Sequence, residues 1–138
     1  MTVLDASVLV GGLLDPSSDV FDDLLQGRVA RISTINIAEV VDVLIRKHGS
    51  AEDDVIDGID LLVRGGLVIE GMSARHALAA GALRARSFGR TRPVSMADCV
   101  AVSLAADIGE PVASTDLALL AMAAAEGVPV IEIPPFQN

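Results

Sequence analysis

The sequence predicts an α/β fold, a parallel β-sheet covered by helices on both faces, and three observations carry that reading. Short apolar runs alternate with longer stretches of helical periodicity, the links between them are short, and no hairpin signal joins two runs. The chain has 138 residues, the length of one domain with one core, so residues 1–138 are expected to form a single unit. No internal repeat, linker or low-complexity segment interrupts it.

Residues 2–4 are an apolar run ending at Asp5, and the stretch from Ala6 to Leu14 suits a helix opening directly after that strand. A Pro-Ser-Ser turn at 16–18 precedes V-F-D-D-L-L-Q-G, whose helical spacing and terminal Gly27 predict a second helix. Ala30 to Ser33 form a strand, and Ile37, Val40, Val41, Leu44 and Ile45 then mark one face of a helix ending near Gly49. Ser50-Ala51-Glu52-Asp53 has the pattern of a capping box, opening a helix to about Arg64 that pairs with its predecessor as a hairpin. A strand at Leu67 to Ile69, a helix from Ser73 to about Phe88 and a helix from Ser95 follow. Pro111 to Ser114 is a strand, Asp116 to Glu126 a helix, and Val130 to Ile133 a last strand before Pro134 and Pro135.

Hydrophobic residues make up 51% of the chain, and the mean hydropathy is +0.54, high for a soluble protein. Such a surface calls for cover by another chain, a second copy or a tight partner. The longest apolar stretches are broken well short of the roughly 20 residues a membrane span needs, and no basic segment precedes the first strand, so a cytoplasmic location is expected. The one cysteine, Cys99, sits in an apolar helix and reads as a small buried hydrophobe rather than a reactive thiol. His48 and His76 read as solvated helix residues rather than general bases.

The net charge of −9 argues against a generally basic nucleic-acid surface. Nine of the ten basic residues are nevertheless Arg, and Arg84, Arg86, Arg90 and Arg92 crowd into nine positions upstream of Asp98. That segment reads equally as a phosphate-contacting patch, through forked Arg contacts, and as a solvated helix end. With no Tyr or Trp and three Phe, stacking on single-stranded bases is thinly provided for.

Four acids stand out: Asp5 in V-L-D-A-S-V-L, Glu39 in T-I-N-I-A-E-V-V, Asp98 in S-M-A-D-C-V-A-V and Asp116 in V-A-S-T-D-L-A-L-L. Asp5 and Asp116 lie just past strand ends, while Glu39 and Asp98 lie in the first turns of helices capped by Ser33 or Thr34 and by Ser95. In an open parallel sheet this edge is where ligands bind. Taken singly, Asp5 and Asp116 also read as N-caps and Asp98 as part of a capping box, whereas Glu39 falls opposite the apolar stripe of its helix and reads as a surface residue. Together they form an oxygen-only donor set in apolar contexts, where a lone carboxylate is costly to bury. Such a set selects Mg²⁺ or Mn²⁺ over zinc and suits in-line hydrolysis of a phosphodiester.

At these residues the chain resembles the PIN-domain ribonucleases, and within them the VapC toxins of bacterial type II toxin–antitoxin modules. The likeness runs through V-L-D-A-S-V-L, N-I-A-E-V-V-D-V-L, A-D-C-V-A-V-S-L-A and V-A-S-T-D to V-P-V-I-E-I, in order and over nearly the full length. The resemblance implies a PIN-like α/β/α sandwich with a five-stranded parallel sheet. It implies that Asp5, Glu39, Asp98 and Asp116 hold Mg²⁺ or Mn²⁺ and position the attacking water, with Ser7, Asn36 and Ser114 in support. It also implies an RNA substrate, a homodimer, and a cognate VapB-type antitoxin that joins the toxin in a hetero-oligomer and grips the helix pair from about 34 to 64. Where the family often continues past the last acid with a polar residue and then Phe, this chain has Leu117, Ala118 and Leu119, which leaves a second metal site weak or reliant on RNA oxygens.

Receiver domains and haloacid-type phosphatases also place acids at strand ends, but both fail on detail. The first needs paired acids at the first strand and a late Lys, and the only Lys is Lys47; the second needs D-x-D, and Ser7 holds the third place. Gly11-Gly12 matches no nucleotide-binding motif. The remaining alternative is a catalytically silent PIN-like domain that binds RNA or a partner protein.

Overall fold

The computed structural model describes residues 1–15, 29–88 and 93–136. Five strands, β1 (Thr2–Leu4), β2 (Ala30–Ser33), β3 (Val68–Glu70), β4 (Val112–Ser114) and β5 (Val130–Glu132), form one sheet in the order β3-β2-β1-β4-β5. Every neighbouring pair is parallel. Six helices accompany them among the described residues: α1 (Ala6–Leu14), α2 (Thr34–Arg46), α3 (Glu52–Arg64), α4 (Ala74–Ser87), α5 (Met96–Ile108) and α6 (Leu117–Ala125). The helix expected in V-F-D-D-L-L-Q-G lies outside the described residues, as do Arg90 and Arg92.

Strand alternation divides the core in two. Val3 and Val112 face a cluster with Leu83 of α4, Cys99 to Ala105 of α5 and Leu119 to Ala123 of α6. Their neighbours Leu4 and Ala113 join Leu9 of α1, Val40 and Leu44 of α2, and Val55 and Ile59 of α3. The result is a sheet with three helices contributing to the core on each face. Helix α5 is buried along seven consecutive residues, Cys99 to Ala105, because α4 packs on its far side. Its nearly continuous apolar sequence thus reflects a helix covered all round. Cys99 is fully buried beside Met122, and burial pushes its thiol up to about 11, in keeping with an inert small hydrophobe.

The expected capping box at Ser50 does not form. Ala51 is the N-cap of α3 with no side-chain hydrogen bond, while the Ser50 N–H donates to the Leu44 carbonyl (3.0 Å) and stays with the preceding helix end. Glu52, Asp53 and Asp54 meet the helix dipole instead. The other strand and helix boundaries agree with the sequence reading to within a residue or so, except that α2 stops at Arg46. No helix among the described residues is long and apolar enough to cross a membrane.

Helix α5 ends at Gly109, whose φ of 69° lets the Glu110 N–H reach the Ala105 carbonyl (3.0 Å). A Cβ at this left-handed position strains the backbone, so Gly109→Ala is expected to lower the unfolding free energy by about 1 kcal/mol in chemical denaturation.

Candidate functional site

The sheet order places β1 between β2 and β4, and the connections leave β1 toward one edge and β4 toward the other. This is the switch point at which parallel sheets open a crevice. Pairing of Leu4 with Ala113 sets the ends of β1 and β4 side by side, so Asp5 and Asp116 emerge together. Both are N-caps: Asp5 accepts from the Ser7 N–H (2.8 Å) and Asp116 from the Ala118 N–H (2.8 Å). Asp98 forms a reciprocal capping box with Ser95, accepting from the Ser95 N–H (2.9 Å) while its own N–H donates to Ser95 Oγ (3.0 Å).

Capping does not exhaust these carboxylates. Asp5, Glu39, Asp98 and Asp116 all line one open cleft of about 360 Å³, together with Ser7, Thr115, His48, Phe136 and the apolar side of α1. Glu39, expected at the surface, is half-buried there because α2 packs against both α1 and α5, so the flank of its apolar stripe is covered too. Asn36, one turn earlier and 1% exposed, holds this arrangement: its Nδ2 donates to the Ala97 carbonyl (3.2 Å), tying α2 to the first turn of α5 beside Asp98. Ser33, the N-cap of α2, accepts from the Asn36 N–H (3.0 Å) and donates to Asn36 Oδ1 (2.5 Å), fixing which way the amide points.

Two serines orient Asp5. Ser7 Oγ donates to Asp5 Oδ2 (2.9 Å) and accepts from the Thr115 N–H (3.1 Å). Ser114 Oγ, fully buried, also donates to Asp5 Oδ2 and accepts from the Asp116 N–H (2.9 Å). One hydroxyl thus connects the two strand-end acids. Thr115 is a cleft residue that the sequence reading did not single out, since neither spacing nor periodicity marks a loop residue as facing a cleft, and His48, expected as a solvated helix residue, is exposed in the turn after α2 and lines the cleft.

The electrostatics are those of crowded like charges. Burial raises the Asp5 carboxyl above the usual range, the serine hydrogen bonds oppose this, and Asp116 adds to the rise. Asp98 is raised by burial and then by Asp5 and Asp116, against its bonds to Ser95. Glu39 is raised by burial, then by Asp98, Asp5 and Asp42. No hydrogen bond to the Glu39 carboxylate is found among the described residues, so nothing offsets that rise. An oxygen-only set with mutual repulsion fits a hard divalent cation. No three His, Cys, Asp or Glu side chains among the described residues are gathered tightly enough to cage an ion by themselves.

Arg84 and Arg86 lie elsewhere. Arg84 stacks over Phe88 (4.7 Å to the ring centre), Arg86 pairs with Glu126, and neither lines the cleft. His76 is not simply solvated: its Nε2 lies 2.8 Å from Asp107 Oδ2, remote from the four acids in the fold.

An acid-lined cleft at the switch point of a parallel α/β/α sandwich is where folds of this class bind their ligands. The sequence matches the PIN domain family over residues 2–131, and the chain belongs to that family. Among solved structures it is similar to VapC20 of Mycobacterium tuberculosis, a sarcin–ricin loop cleaving toxin, at 15% identity and TM-score 0.70, covering 98% of this chain and 100% of that one. It is similar also to VapBC2 of Rickettsia felis bound to a promoter DNA fragment, at 14% identity and TM-score 0.76, covering 96% and 98%. A third is DNA-bound VapBC of Salmonella typhimurium, at 16% identity and TM-score 0.76, covering 95% and 96%. No curated protein gives a significant sequence match.

A carboxyl whose pKa is higher folded than unfolded holds its proton more tightly in the native state. Its stabilising contribution is therefore present below the unfolded pKa and lost as pH rises through the folded one. Glu39→Gln removes that loss without removing a hydrogen bond seen here. In metal-free buffer the variant is expected to melt a few degrees above wild type at neutral pH, and the gain should shrink as pH falls toward about 4.

Proposed function

We propose that this protein is a metal-dependent endoribonuclease acting as the toxin of a type II toxin–antitoxin module. One observation carries the reading: four carboxylates from β1, α2, α5 and the end of β4 line a single cleft in a chain of the PIN family. Asp5, Glu39, Asp98 and Asp116 would hold Mg²⁺ or Mn²⁺ and position the attacking water. When bound, such an ion activates water and stabilises the departing oxygen of a phosphodiester. Ser7 and Ser114 aim Asp5 and oppose the rise that burial imposes on its pKa, and Asn36 keeps Glu39 close to Asp98. Leu117, exposed and apolar where a further polar ligand would stand, would leave a second metal site weak or reliant on RNA oxygens.

The structural neighbours include toxins in complex with antitoxins, which supports a VapB-type partner and assembly into a hetero-oligomer, with the toxin itself as a homodimer. Ile35 and Ile45 of α2 and Ile56, Leu61 and Val63 of α3 are exposed on the helix pair that would receive the antitoxin. A protein working on cytoplasmic RNA beside such a partner accounts for the apolar surface left uncovered on this chain.

The deciding experiment sequences cellular RNA 5′ ends after brief induction of the wild type and of Asp5→Asn, Asp98→Asn. Discrete ends made by the wild type, lost in the double variant and suppressed by co-expression of the neighbouring antitoxin, are expected; identical end profiles would turn the reading to the silent RNA- or protein-binding domain. Binding to the native state also stabilises it, so millimolar Mg²⁺ or Mn²⁺ should raise the melting temperature of the wild type. The same addition should do much less for Asp5→Asn, Asp98→Asn, and a wild-type melting curve indifferent to metal would count against the site.

A further inference from the structure

The acidic cleft does not end at the carboxylates. A second cavity of about 230 Å³ adjoins it, walled by Gly11, Gly12, Ile133 and Phe136, with Ser7, Thr115 and Asp15 as polar lining. Ser7, Gly11, Thr115 and Phe136 line both spaces, so the two are contiguous and a strand held among the four acids can reach the second cavity. We propose that this cavity is a nucleobase subsite in which the base beside the scissile phosphate stacks on Phe136. The inference rests on the ribonuclease reading and names a specificity-determining residue within it.

Four features argue for a base. The cavity is smaller than the about 300–1,000 Å³ typical of drug-sized ligands and suits a fragment of one heterocycle. Phe136 is one of three aromatic residues in a chain without Tyr or Trp, and it stands 36% exposed at the junction of the two cavities. Gly11 makes the room: a Cβ there would lie 3.5 Å from Phe136 Cβ, so any branched side chain at this position would grow against the Phe and into the opening. Finally, the Thr115 hydroxyl has no hydrogen-bonding partner among the described residues, and it can address a base edge while Ser7 remains committed to Asp5. Energetics point the same way. A protein of net charge −9 gains little from phosphate attraction, whereas stacking draws on no basic surface.

The chain has no tryptophan, so Phe136→Trp places a single fluorophore at the subsite. In an Asp98→Asn background, which prevents turnover, a randomised RNA oligonucleotide pool should quench that fluorescence saturably, and inorganic phosphate should not. Phe136→Ala and Phe136→Leu should each weaken binding of the pool about tenfold, the leucine variant keeping the apolar cover over Gly11 but offering no face for stacking. Sequenced ends from the pool should also lose base preference at one position beside the cut in Phe136→Leu. Wild-type affinity and preference in Phe136→Leu, or fluorescence blind to RNA while the wild type cleaves the pool, overturns the subsite and leaves the ribonuclease reading standing. Quenching with no cleavage by the wild type supports the subsite and overturns the nuclease reading.

Discussion

The accommodation of one carboxylate organises this molecule. Asp5 ends the central strand, is 4% exposed, and sits where burial disfavours its charge. Its two oxygens are met by the Ser7 N–H and by the hydroxyls of Ser7 and Ser114, donors that come from α1 and from the neighbouring strand. These bonds exist only if β1 and β4 are paired in the observed register, since Ser114 is the last residue of β4 and Ser7 also accepts from Thr115 just beyond it. The charge at the heart of the site and the sheet's central pairing therefore support each other. A slip of one residue would turn Ser114 to the opposite face and leave a buried carboxylate without its donors.

The remaining acids are brought in by helices rather than strands, and here polar bonds do what the apolar core cannot. Apolar packing fixes how deep α2 and α5 lie on the sheet but is nearly indifferent to small slides along it. Asn36 removes that freedom: fully buried, it spends one amide hydrogen on the Ala97 carbonyl and its oxygen on Ser33. Glu39 and Asp98 consequently face each other across a cleft instead of being turned to solvent on separate helices. Three of the four acids also cap or box a helix N-terminus, so the same carboxylates that order the backbone are offered to the cleft. Helix capping and placement in the cleft coincide in these side chains, which is why each read from the sequence as either.

The carboxylates gather at the strand ends, the exposed Ile56, Leu61 and Val63 lie on α3, and Arg86 is drawn off to Glu126. An acidic chain of this kind offers little of the broad electrostatic footprint on which general polyanion binding draws.

The alternation of short apolar runs with helical stretches was enough to determine the parallel α/β class, the five strands and the order of the six described helices, because period-2 and period-3.6 burial are local properties of a chain. The positions of Asp5, Asp98 and Asp116 at element starts were legible for the same reason: caps are written in a few consecutive residues. Glu39 was not legible from periodicity, since a helix packed on two sides buries its flank as well as its stripe, and that depends on α1 and α5. Ser50 misled because its N–H belongs to the preceding helix end, a competition no local pattern reveals. Convergence of the acids, the ties made by Ser7, Ser114 and Asn36, and the placing of Thr115, His48 and Phe136 along the cleft were decided by tertiary structure alone. Each joins residues distant in sequence, and only strand pairing and helix packing determine which of them meet.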